Sequence, residues 1–90
     1  MEGTAVPRLA RGVRLREDAT RGGWVVLAPE RAFVPDAVAL EVLRLVDGAR
    51  SVDAVVDDLA ARFNAPRDVI ARDVGAMLRD LSEKGVVTAS

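Results

Sequence analysis

Apolar positions along this chain change period midway, and the change divides it into a strand half and a helix half. "VRLRE", Val13 to Glu17, alternates apolar and charged residues, the pattern of a strand with one buried face. After the turn residues of "DATRGG" comes "WVVLA", Trp24 to Ala28, apolar at every position. Such a run predicts a strand covered on both faces, or covered on one and offered to a partner on the other. "RAFV", Arg31 to Val34, follows and stops at Pro35, which donates no hydrogen bond and suits a strand's end. Pro29, with φ fixed at about −65°, does not fit a type I′ turn, so a loop of three to five residues is expected between these strands.

Beyond Pro35 the period becomes helical. Asp36 is a good N-cap for "AVALEVLRLV", where only Glu41 and Arg44 are polar, so most of that helix's circumference calls for burial. Asp47-Gly48 ends it, Gly48 suiting the left-handed position after a helix. Ser51 caps a second helix, in which Val52, Val55, Val56, Leu59, Ala60 and Phe63 fall on one face and Asn64 supplies the stop. Pro66 opens a third helix with a stripe of Val69, Ile70, Val74, Met77, Leu78 and Leu81, ended by Gly85. Gly75 and Ala71, one turn apart on that helix, predict close packing against a neighbouring helix, with a backbone approached by a ligand as the alternative. "VVT", Val86 to Thr88, adds a short strand or packs as a tail.

The order is thus β-β-β-α-α-α, an α+β domain with a three-stranded antiparallel sheet followed by a three-helix bundle. Residues 1–12, without sustained period and punctuated by Pro7 and Gly12, are expected to be a flexible N-terminal arm ahead of a domain at 13–90. "MEGTAVPRLARG" lacks the apolar core of a secretory signal, and no apolar run reaches the roughly 18 residues of a membrane span, so no membrane role is expected.

Composition narrows the chemistry. Ninety residues, half of them hydrophobic and 30% charged, make one globular domain. With only Trp24, Phe33 and Phe63 aromatic, the core must be Val, Leu and Ala. The chain has no Cys and no His, which excludes disulfides, thiol nucleophiles, imidazole acid–base chemistry and the usual zinc ligand sets, and fits a reducing, cytoplasmic setting. Carboxylates are what remains for catalysis, and Asp57 and Asp58, adjacent on a helix, point in different directions. "RGG" at 21–23 is too short for a phosphate loop. The sequence therefore gives no catalytic residue, no metal site and no cofactor.

Two helices, a tight turn and "GVVT" have the shape of a winged helix-turn-helix. Yet the third helix balances Arg67, Arg72, Arg79 and Lys84 against Asp68, Asp73, Asp80 and Glu83. Each of those acids is penalised beside phosphates, so nucleic acid is not the expected partner. If "RAFV" is the last strand of the sheet, one edge keeps unpaired backbone groups. An open edge beside an apolar helix is a geometry for capturing an extended peptide. The bland alternative is that "VVT" or a second copy of the chain covers that edge.

Those residues also carry a resemblance. "PRLARGVRLRED", "VVLAPERAFV", "ALEVLRLVDG", "SVDAVVDDLAARF" and "DVGAMLRDLSEKGVV", in that order, resemble the PqqD family of pyrroloquinoline quinone (PQQ) biosynthesis over roughly Pro7 to Val87. The resemblance implies a RiPP recognition element, a winged-helix-like peptide-binding fold. It implies a non-catalytic chaperone that binds the precursor peptide PqqA and presents it to the radical SAM enzyme PqqE, some members being fused to PqqC. The peptide lies in such elements as an added strand against the third strand and beside the third helix. Carried onto this sequence, that implicates Arg31, Ala32, Phe33 and Val34, together with Val69, Asp73, Ala76, Met77 and Asp80. One departure is "VPD", Val34 to Asp36, where "LN" is expected before the first helix. Asp36 does the capping work there, while Pro35 takes a donor from the edge, so pairing is expected to stop sooner. A DNA-binding winged helix and a structural homodimer are the alternatives.

Overall fold

The computed structural model of the chain describes residues 1–89. Five strands and three helices run in the order β1 (Pro7–Leu9), β2 (Arg14–Glu17), β3 (Trp24–Ala28), β4 (Arg31–Phe33), α1 (Ala37–Leu43), α2 (Val52–Phe63), α3 (Arg67–Glu83), β5 (Val87–Ala89). β2, β3 and β4 form the expected antiparallel sheet, with β3 central. Val26 on β3 is fully buried, whereas Val25 and Leu27, on the opposite face, are only half-buried. The unbroken apolar run therefore covers the core on one side and leaves its other side partly open.

The hairpin joining β3 to β4 is tighter than Pro29 suggests. Ala28 pairs with Arg31, so Pro29 and Glu30 alone make the loop, shorter than the three to five residues expected. Neither has positive φ, so this is not one of the mirror-image turns whose twist matches the flanking strands. Pro29 is accommodated by an ordinary turn, and β4 lasts only three residues.

The first twelve residues depart further from expectation. Instead of a free arm throughout, Pro7–Leu9 pairs antiparallel with Val87–Ala89 as a second, two-stranded sheet. The amides of Gly48 and Val52 donate to the carbonyls of Pro7 and Ala5, and Pro7 itself is buried. The missing helical or alternating period hid this strand, because three residues are too few to show one. Its partner is the tail, so β5 pairs with β1 and not with β4.

Helix ends follow the caps read from the sequence. Asp36 and Ser51 accept from the amides of Ala39 and Ala54, and Asn64 takes the left-handed conformation at φ 49°. α1 stops at Leu43, earlier than its apolar pattern, because the amides of Leu45 and Val46 bond three residues back in a tightened turn. Leu45 and Val46 are still buried, so the pattern marked burial correctly but overran the helix. Pro66 precedes α3 at the cap position, and its carbonyl accepts from Ile70.

The core lies between the sheet and the helices and is made of Val and Leu. Val26, Val55, Leu78 and Val86 have no exposed surface at all, and no charged or polar side chain is buried among the described residues. Gly75 does not pack closely: an added Cβ would meet nothing within 4 Å. Of the small-residue row read from the sequence, Ala71 packs against the core while Gly75 faces open space.

Candidate functional site

β4 is an edge strand. It pairs with β3 on one side, and the tail that would have covered its other side is paired with β1. Bonded and unbonded pairs alternate along an antiparallel ladder, and the pair closing a two-residue hairpin is bonded. With Ala28–Arg31 as that closing pair, Ala32 turns its N–H and C=O outward, and Ala32 is exposed. The other rim of the sheet, β2, is protected by Arg14, Arg16 and Glu17 in the manner of natural edges. β4 has one charged residue, Arg31, and its guanidinium is already engaged, donating to the carbonyl of Lys84 at the end of α3. A cation there also suits the negative end of the helix.

Where β4 hands over to α1 lies an apolar groove of about 400 Å³. Ala37, Val38, Glu41 and Val42 of α1 line one wall, Leu59 and Phe63 of α2 the end, and Ile70, Asp73, Val74 and Met77 of α3 the other wall. Val34, Val38 and Phe63 are exposed at 70%, 60% and 55%, and Val38 and Phe63 share the groove, an exposed apolar patch of the kind that marks an interaction site. The Arg31–Lys84 bond ties β4 to the end of α3, and Ala37 and Met77 line opposite walls of the groove. From Lys84 back to Met77, α3 rises about 10 Å, and Arg31 to Val34 spans about 10 Å of strand. Strand and helix are thus tied at Arg31, and each leads from there toward the groove.

The charges around the groove are mostly spent inside the protein. Arg62 donates to Glu41 and to Asp58, and lies 5.5 Å from the Phe63 ring. Its bond to Glu41 is the main reason its proton is held even more firmly than usual. Arg67 is likewise held by Asp57, at 2.6 Å, and by Asp53, at 3.2 Å, so the start of α3 offers no free cation to a phosphate. Asp80 pairs with Lys84 at 2.9 Å. Asp73 has no ion-pair partner among the described residues.

Of the nine residues implicated by sequence, Asp73 and Met77 line the groove. Arg31 is the tie, Ala32 the open edge, and Val34 the exposed residue leading to α1. Phe33 turns inward against the core. Val69 is half-buried, and Ala76 and Asp80 are exposed on α3 outside the groove lining. Sequence reasoning missed Val38 and Phe63. The signal was present: α1 carries more apolar residues than one buried face accommodates, and Phe63 is α2's last residue. Among the described residues no three carboxylates gather as metal ligands, and no helix is long and apolar enough to cross a membrane.

Residues 23–87 match the family described as Coenzyme PQQ synthesis protein D (PqqD). The PqqA binding protein of Rhodopseudomonas palustris (strain TIE-1) is 54% identical over 85 residues, covering 94% of this chain and 83% of that protein. The bifunctional coenzyme PQQ synthesis protein C/D of Methylorubrum extorquens is 45% identical over 85 residues, 94% of this chain but 23% of that protein. Among solved structures, the chain is similar to the PqqD truncation of Methylobacterium extorquens PqqCD, a stand-alone RiPP recognition element studied by solution NMR. That match has a TM-score of 0.80 at 43% identity and covers 98% of this chain and 94% of the other. Lasso peptide synthetase B1, solved with its leader peptide, shares the fold at a TM-score of 0.78 and 20% identity, covering 93% of this chain and 99% of that one.

Proposed function

Because this chain belongs to the PqqD family, we propose that it is a non-catalytic carrier of the precursor peptide PqqA, acting in the cytoplasm and presenting the peptide to the radical SAM enzyme PqqE. The peptide adds as a strand to β4, its backbone bonding to Ala32 and its alternate side chains turning toward α3 and the groove. Backbone bonds set register and the groove selects side chains. The observation that carries this reading is the uncovered edge of β4 beside an apolar groove, in a fold whose tail strand pairs elsewhere.

Two observations support the choice. The relative named PqqA binding protein is 54% identical across most of both chains. One relative, a bifunctional coenzyme PQQ synthesis protein C/D, carries the element within a longer polypeptide, as expected of a module that works beside other proteins of the same pathway.

Calorimetric titration with synthetic PqqA tests the reading. Wild type is expected to bind, and Val38→Asp, on the exposed rim of the groove, to bind about tenfold more weakly, as the loss of most of one valine's burial implies. Equal affinity of the two proteins would remove the groove from the site. Absence of binding to wild type would remove the function.

A further inference from the structure

We infer that the carrier, in the peptide-binding role proposed above, selects a peptide with a lysine or arginine placed two residues from the apolar side chain that fills the groove, and that Asp73 is the residue that reads it. The groove's lining contains two acids, Glu41 and Asp73, and no base. Glu41 is neutralised from within by Arg62, whose guanidinium also answers Asp58. Asp73 is exposed and has no ion-pair partner among the described residues, so its charge is left for the occupant.

Spacing fixes the form of the motif. On an added strand, side chains on the face toward α3 recur every two residues, roughly 7 Å apart. An apolar side chain seated on Val42, Leu59 and Val74 therefore has its nearest neighbour on that face two positions away. Met77, one turn along from Asp73, keeps the surface between them apolar, which suits the methylene stem of Lys or Arg with the charged head on Asp73. An acidic side chain at that position meets the negative rim and is disfavoured, so the same carboxylate both attracts and excludes. The other end of the cleft, where Arg31 meets the end of α3, lacks this bias: Lys84 and Asp80 offset each other and Arg31 keeps its positive charge. The asymmetry gives the bound peptide one preferred register.

A charge scan is the test. Synthetic PqqA of Rhodopseudomonas palustris is prepared with each residue replaced in turn by lysine and by glutamate, and each peptide is titrated into wild type, Asp73→Asn and Asp73→Lys. One position is expected where lysine binds wild type about fivefold more tightly than glutamate, the size of a favourable exposed pair. That preference should vanish in Asp73→Asn, reverse in Asp73→Lys, and shrink with added salt. Normal binding of the unchanged peptide with no position whose lysine–glutamate preference depends on residue 73 would overturn this inference alone. Failure of wild type to bind the unchanged peptide at all would overturn it together with the carrier reading. Asp73 is exposed, so its substitution leaves the fold intact, verifiable by an unchanged melting temperature.

Discussion

Gly75 sits mid-helix in α3 with open space where a side chain would be, and its backbone is not in the left-handed region. It therefore costs α3 conformational entropy without gaining a close approach. Gly75→Ala is expected to stabilise the protein by about 1 kcal/mol. Chemical denaturation checks this; a destabilised variant would mean the space is used. Asp47, in the turn after α1, accepts from the amides of Arg50 and Ala49, and those bonds, that of Arg50 foremost, hold its carboxyl below its ordinary value of 3.8. A carboxyl lowered by folding contributes stability that is complete above its unfolded value and is lost as pH falls through the folded one. The advantage of wild type over Asp47→Asn in thermal melts should therefore be constant near neutrality and shrink below pH 3.8. A gap independent of pH would contradict the assignment. Single residues were the most legible level of this sequence: Asp36, Ser51 and Asn64 all cap as their chemistry dictates. Gly75 was not, because its meaning depends on what stands opposite, and a sequence does not show an empty space.

At the scale of elements, the proposed function rests on β4 and α3. Ala32→Pro removes the outward N–H while leaving the inward ladder to β3, and edge strands tolerate proline when the lost donor faces solvent. Peptide affinity is expected to fall about threefold to tenfold, the value of one net hydrogen bond, with the fold retained by circular dichroism. Unchanged affinity would show that Ala32 makes no bond to the peptide. The alternating "VRLRE", the unbroken apolar "WVVLA" and the helical stripes marked β2, β3, α2 and α3 nearly in full. β1 and β5 were harder, since each is three residues long and defined only by the other. The overrun of α1 has the same cause: Leu45 and Val46 are buried in a turn, and burial alone does not distinguish a turn from another half-turn of helix. Of the candidate site, the edge strand and the groove positions Asp73 and Met77 were legible, while Val38 and Phe63 required knowing which apolar residues the core leaves out.

At the scale of the molecule, the two sheets divide the labour. β1 and β5 draw both ends of the described chain together and keep the tail off β4. Arg14, Arg16 and Glu17 close one rim of the larger sheet to chance pairing, and the β4 rim stays open beside an apolar groove. The balance of four basic against four acidic residues along α3 and its cap argues against duplex DNA as the ligand of this winged-helix-like shape. The central claim is that a foreign backbone completes the sheet at β4. Isotope-edited NMR of the complex with PqqA tests it most directly. Cross-strand contacts between the peptide and Ala32, with slowed exchange of the Ala32 amide and shifts at Asp73 and Met77, are predicted. Peptide contacts confined to β2 or to the β1–β5 sheet, with the Ala32 amide exchanging as fast as in the free protein, would contradict the account.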